Sequence, residues 1–173
     1  MAVLEIRQYP DKVLRRKSRP VEAITPEIHK LIDDMVETMY AAPGVGLAAP
    51  QVGIGLRLAV IDISYRDEEP EVFVLINPEF VLQEGEVEED EGCLSVQDFT
   101  ETVKRFSRVI VRATDRNGDV YELEGEDLLA RALQHEIDHL NGLLFIDRIS
   151  PLKRDLFKRK LKKAIKNEEA TAS

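Results

Sequence analysis

The chain holds only three histidines, and two of them stand in the run His135-Glu136-Ile137-Asp138-His139. On a helix, residues four apart share one face, with Cβ atoms about 5–6 Å from each other. Two imidazoles placed in this way can converge on one metal ion. Glu136, one position from His135, stands beside such an ion rather than joining it as a third ligand. That is where a general base for a metal-activated water belongs. A lone histidine on an apolar face is usually a satisfied core residue, but this spacing around a glutamate points to a metallohydrolase.

A catalytic site built on two histidines needs one more protein ligand and an open position. A metalloendopeptidase, the alternative reading, would take that ligand from downstream. In one large class the motif continues as His-x-x-Gly-x-x-His. Here His139-Leu140-Asn141-Gly142 follows it as far as the glycine, but Phe145 stands where the third histidine would be. In another class a later glutamate serves, and only Glu168 and Glu169 follow, on a short basic tail. The sole cysteine, Cys93, is the better candidate. A single cysteine is commonly a small buried hydrophobe, but this one lies in Glu91-Gly92-Cys93-Leu94-Ser95, beside a glycine that permits close approach. One thiolate and two neutral imidazoles suit Fe(II), Zn(II) or neighbouring ions, and ligand type alone does not choose among them.

These residues need elements to hold them. Thr25-Pro26-Glu27 reads as an N-cap with proline in the first turn, and Leu31, Met35 and Met39 continue at helical spacing, so a helix is expected over 26–41. Gly44 to Gly55 is too rich in glycine for a good strand and too apolar for a surface linker; it suits backbone lying close to a ligand or another chain. Strands are expected over 56–63, over 71–76 with a stop at Asn77-Pro78, and over 109–113 and 120–123 with an Asn117-Gly118 hairpin turn between them. Residues 84–91 include six carboxylates and form an acidic approach to Gly92-Cys93. Asp127 to Asn141 reads as the metal-bearing helix, closed by Gly142. Pro151 opens a last helix whose apolar side is partly marked by Leu152, Leu156 and Leu161. The expected class is α+β: mixed or antiparallel strands around a central metal-binding helix, with an N-terminal helix and a C-terminal basic helix.

The chain has 173 residues, which argues for one catalytic domain over 1–150, with a basic helix and tail over 151–173. That is long enough to bury a core without disulfides. With 43% apolar and 33% charged residues, a disordered or low-complexity chain is excluded. No apolar run approaches a membrane span, and the first twenty residues, with Glu5, Arg7, Asp11 and five more basic residues, lack the apolar centre of a signal peptide. One free thiol fits a reducing cytoplasm, the expected location. Net charge is −9, yet Pro151 to Lys166 carries +7 and residues 1–150 carry −14. An acidic body argues against DNA as a partner, whereas the basic tail can touch a phosphate surface or simply face water.

Three segments stand together in order: Gly44-Val45-Gly46-Leu47-Ala48-Ala49-Pro50-Gln51, Glu91-Gly92-Cys93-Leu94-Ser95, and Gln134-His135-Glu136-Ile137-Asp138-His139-Leu140-Asn141-Gly142. With them the chain resembles the peptide deformylases, from Tyr9-Pro10 to Leu144-Phe145-Ile146-Asp147, and its basic tail resembles the bacterial form with a C-terminal helix. The resemblance implies hydrolysis of the formyl group from formyl-methionine on new polypeptides, with release of formate. By matching positions it implies Cys93, His135 and His139 as ligands of one divalent metal, natively Fe(II), with Zn(II), Ni(II) or Co(II) as substitutes. Glu136 would be the general base and acid, and Gln51 with the backbone N–H of Leu94 would form the oxyanion site. Gly44, Val45 and Gly46 would pair with the substrate backbone as an added strand, and Leu128, Ala132 and Ile137 would contribute to the methionine pocket. Two positions depart from the family pattern: Gln97-Asp98 follows Val96 where a proline is frequent, and Arg131 replaces an apolar residue near the pocket. The resemblance further implies that the 151–166 helix contacts the ribosome near emerging chains.

Overall fold

The protein was analysed as a computed structural model that describes residues 2–64 and 68–172. Its first helix, α1, is Pro26–Ala41, as the spacing predicts; Thr25 Oγ1 accepts the N–H of Ile28 at 3.3 Å and closes its first turn. Seven strands follow: β1 Gly46–Ala48, β2 Leu58–Ile61, β3 Phe73–Glu84, β4 Val87–Cys93, β5 Val96–Arg105, β6 Arg108–Thr114 and β7 Val120–Glu126. Helix α2 is Asp127–Leu140 and helix α3 is Pro151–Ala172. These seven strands pair antiparallel: five form one sheet in the order β1-β2-β3-β6-β7, and β4-β5 form a separate two-stranded sheet.

The two-residue period of β2 explains how the large sheet is covered on both faces. Ala59 and Ile61 point to α2, among Leu75, Val111, Leu133 and Ile137. Leu58 and Val60 point the other way, to the α1 side chains Ile32, Met35 and Met39. All four β2 residues are therefore fully buried. The α+β class and the central position of α2 agree with the sequence.

Two expectations fail for identifiable reasons, and one acidic stretch takes a form the sequence did not specify. Gly46–Ala48 is a strand after all: its small residues are buried, and pairing with Ile61, Val60 and Ala59 supplies the order that local propensity does not. Asn77-Pro78 does not stop β3. Asn77 takes φ +52 in a register shift between Ile76 and Glu79, so Pro78 falls where the ladder is already interrupted. The Asn77 amide also accepts the N–H of Val21 at 2.8 Å and donates to its carbonyl at 2.9 Å. The acidic run at 84–91 is largely a strand, whose carboxylates are mostly solvated while Glu91 turns inward.

The β4-β5 hairpin rests on a third core formed by Leu14, Val96, Val103, Phe145, Ile146 and Phe157. Phe157 belongs to α3 and meets Phe99 of β5 with ring centroids 4.6 Å apart. With Leu161 it sets the packed face of α3, whereas Leu152 and Leu156 are exposed. The basic helix is thus seated by its first turns on the wall that carries Cys93, and it continues past the expected end at 166. No helix among the described residues is long and apolar enough to cross a membrane.

Gly142 closes α2 at φ +77, and a Cβ there would lie 2.5 Å from the carbonyl oxygen of Arg15. Gly142→Ala should destabilise by about 2 kcal/mol or more, a fall in Tm of roughly 4–8 °C for a chain of this size. Gly55→Ala, where a Cβ meets nothing within 4 Å, should leave Tm nearly unchanged. Thermal unfolding of the two variants beside the parent checks this.

Candidate active site

Helix α2 places His135 and His139 on one face, with their Nε2 atoms 3.2 Å apart and the rings edge to face. The turn between β4 and β5 brings Cys93 Sγ to 3.4 Å from His139 Nε2. The three donor atoms lie within 4.8 Å of one another. Donors about 2.0–2.3 Å from a common ion in tetrahedral array are separated by distances of this order, so the set fits one divalent cation. Two buried atoms, Glu136 Oε1 and His139 Nδ1, have no protein hydrogen-bond partner. The first lies beside the donor set, as a group that serves a bound species rather than the fold would.

The electrostatics follow from burial. Burial pushes the Glu136 carboxyl up to about 7; the charge of His135 opposes the rise and that of Glu91 adds to it. For His139, burial and the neighbouring His135 hold the imidazole well below its ordinary value, in the neutral form that ligates metals. Burial also disfavours charge on His135, but contacts with Cys93, Glu136 and Glu91 outweigh it and raise its pKa well above the usual value. Negative groups therefore gather around His135 and favour a positive species at that point.

A cavity of about 540 Å³ opens on this cluster. One wall is the segment 43–46 and the other is the β4-β5 hairpin with Leu128, Arg131 and Ala132 of α2. A Cβ at Gly46 would lie 2.5 Å from Glu136 Oε2, and one at Gly44 would lie 2.8 Å from Leu94 Cδ1. Glycine at both positions lets β1 and its approach press against the carboxylate and the Cys93 turn. Val45 between them is exposed. Because β1 is the outermost strand of its sheet, it pairs on one side only. Gln51 is buried; its Oε1 accepts the N–H of Ala48 at 3.0 Å, and its Nε2 donates to Ser95 Oγ at 3.1 Å, facing Cys93 Sγ at 3.6 Å. Leu94, adjacent to Cys93, lines the same cavity, whereas Ile137 points away into the core between α2 and the sheet. Phe145, at the position of a third histidine in one endopeptidase class, is buried in the third core.

Residues to which the sequence reading assigned no role surround the donor set. Glu91 Oε1 lies 3.0 Å from His135 Nδ1, which leaves Nε2 directed at Cys93 and His139. Arg105, wholly buried, makes two 2.8 Å bonds to Glu91, one from Nε and one from Nη2, and donates from Nη1 to Asp138 Oδ2 at 2.6 Å. Although burial acts to raise the Glu91 carboxyl, Arg105 and His135 hold it at about 2. The only sequence signals were the adjacency of Glu91 to Gly92-Cys93 and of Asp138 to His139; nothing local marks Arg105.

Comparison with known proteins matches this arrangement. Residues 3–155 fit the family model described as polypeptide deformylase. The chain is 57% identical to the peptide deformylase of Thermodesulfovibrio yellowstonii over 94% of its own length and 98% of the relative's. It is 55% identical to that of Syntrophobacter fumaroxidans, over 99% and 100%. The crystal structure of a peptide deformylase from Legionella pneumophila superposes with a TM-score of 0.90 at 50% identity, covering 97% of this chain and 98% of that one. The peptide deformylase from Synechococcus elongatus in complex with actinonin gives 0.87 at 41% identity, over 93% and 87%. A chain with this site, fold and degree of identity belongs to the peptide deformylase family, metallohydrolases that remove the N-formyl group from nascent polypeptides.

Proposed function

We propose that this chain hydrolyses the formyl amide of formyl-methionyl polypeptides with Cys93, His135 and His139 as ligands of one divalent metal, and with Glu136 as general base and then acid. The observation that carries the reading is the convergence of the three donor atoms beside a buried carboxylate, at the unpaired edge of β1. A divalent cation held there supplies Lewis acidity, which makes an adjacent water more acidic. Fe(II) is the proposed native ion, by family resemblance, with Zn(II), Ni(II) or Co(II) as substitutes; anaerobic purification with a metal count tests it. A thiolate ligand makes such a site sensitive to oxidation.

The remaining steps rest on side chains of the chain itself. Glu136, with its pKa raised toward neutrality, accepts the proton of the attacking water and returns it to the amine as the amide bond breaks. Attack places negative charge on the formyl oxygen. Gln51 Nε2, beside Cys93, and the N–H of Leu94 are the proposed donors to that charge; losing one such donor typically costs about 10²–10³ in rate. The Gly44-Val45-Gly46 backbone takes the peptide as an added strand on the side of β1 that faces the cavity. The structure of the Synechococcus relative in complex with actinonin supports a ligand-binding cleft in this family. The walls of the methionine pocket are then Leu128 and Ala132, with the aliphatic stem of Arg131, rather than Ile137.

Residues 1–150 are proposed as the catalytic unit and α3 as a basic arm that touches the ribosome in the cytoplasm. Phe157 and Leu161 tie one face of α3 to the body, so the proposed contact surface is the solvent-facing side of 151–166, with Lys158, Arg159, Lys160, Lys162, Lys163 and Lys166.

Two measurements test these assignments. Metal-loaded protein purified without oxygen should release formate rapidly from a short formyl-Met peptide. Glu136→Ala should lose about 10²–10⁴ of that rate while retaining its metal; a variant of undiminished rate removes Glu136 from the mechanism. Replacing the exposed Lys158, Lys160, Lys162, Lys163 and Lys166 by Gln, which spares Phe157 and Leu161, should leave formate release unchanged but weaken salt-sensitive cosedimentation with ribosomes. Equal cosedimentation at low salt would remove the proposed contact.

A further inference from the structure

The donor set is connected to the protein surface by a line of alternating charges. His135 Nδ1 meets Glu91, Glu91 is held by both Nε and Nη2 of Arg105, and Arg105 Nη1 reaches Asp138 Oδ2. Asp138 is then gripped by Arg148, with Nε on Oδ2 and Nη2 on Oδ1, each at 2.7 Å. The first three charged groups are buried, with side-chain exposures of 8% for Glu91, 2% for Arg105 and 8% for Asp138, whereas Arg148 is 42% exposed. Two buried carboxylates and one buried guanidinium carry a net charge of −1. Arg148 brings the line to neutrality from its outer end.

We propose that Arg148, which does not line the substrate cavity, is a positioning residue for the metal centre and governs how firmly the chain retains its ion. The proposal rests on the metal reading above and extends it to a residue three positions before α3. Asp138 Oδ2 accepts from both arginines. With Arg148 in place, the Asp138 charge is shared, and the Nε–Nη2 edge of Arg105 stays on Glu91. Without Arg148, the full charge of Asp138 acts on Arg105 and draws it from Glu91, the group that aims His135. The same loss acts a second way. Asp138 neighbours His139 and lies three residues from His135, so the Arg148 bonds to its carboxylate also restrain the helical turn that bears both imidazoles. Arg148 also ends the short 145–148 helical turn, whose Phe145 ring packs against His135 with centroids 6.5 Å apart. Partners behind a ligating histidine commonly change metal affinity by about 10–100-fold, and a group further out acts less strongly.

The test uses the full chain loaded with Co(II), whose thiolate charge-transfer and d–d bands report the coordination sphere. Release to an excess of chelator is timed for the parent, Arg148→Leu and Arg148→Lys. Arg148→Leu should release Co(II) about 5-fold faster or more, with shifted d–d bands, and Arg148→Lys should fall between the two. KM for a formyl-Met peptide should stay within about 2-fold, since Arg148 is outside the cavity. If Arg148→Leu does not fold, Arg148→Gln, which removes the charge but keeps a donor, is judged by the same criterion. Unchanged release and bands with a lowered Tm would overturn the proposal and leave Arg148 as a tether of the 145–148 turn. A parent chain that takes up no Co(II) would overturn the metal reading and the proposal together.

Discussion

The structure depends on one docking constraint: the turn between β4 and β5 must meet the face of α2 in a single register. Cys93 ends β4 at the edge of that turn and the two imidazoles come from a helix more than forty residues later, yet their donor atoms lie within 4.8 Å. Hydrophobic contacts in the third core bring the hairpin near, but they are tolerant of small slips. The buried guanidinium of Arg105 is not. It joins Glu91 of the hairpin to Asp138 of the helix, and any slip leaves a buried charge without its partner. Breaking such a buried pair costs about 3–5 kcal/mol, so the ionic cluster selects the register even if it adds little net stability.

The second consequence concerns the large sheet. Burial of both faces of β2 fixes α1 and α2 on opposite sides, and β1 then becomes the strand next to the metal-bearing helix. A larger residue at position 46 would collide with the Glu136 carboxylate. Glycine there lets the backbone close over the carboxylate, and under the proposed function it also leaves room for an extended peptide beside β1.

Burial of Glu136 is unfavourable for folding, and the same desolvation raises its carboxyl to the near-neutral range that the proposed general base needs. Its nearest cationic influences come from His135 and Arg105, and neither is hydrogen-bonded to it. Arg105 is instead committed to Glu91 and Asp138. Two inward-facing carboxylates therefore differ in one small volume: Glu91, paired and held at about 2, meets a histidine, while Glu136, without a hydrogen-bond partner at Oε1 and raised to about 7, is the one proposed to move a proton.

What the sequence by itself determined is what local rules control. The four-residue spacing of His135 and His139 places them on one helical face wherever that helix lies. Thr25-Pro26 starts α1, Gly142 ends α2, and Asn117-Gly118 turns the β6-β7 hairpin, because capping, helical period and turn geometry involve neighbours along the chain. The three motif segments, read together, were enough to point to the family. Tertiary structure alone decided the rest. The acidic run before Cys93 is a strand because β5 pairs with it, and Gly46–Ala48 is a strand because β2 does. Ile137, adjacent to Glu136, faces the core because the helical rotation that turns Glu136 toward Gly46 turns its neighbour into the layer between α2 and the sheet. Arg105 and Arg148 are unmarked in sequence, and their roles arise only when Glu91 and Asp138 are brought to them. Interactions among residues distant in the chain have no local period, so they become visible only once the chain has closed on itself.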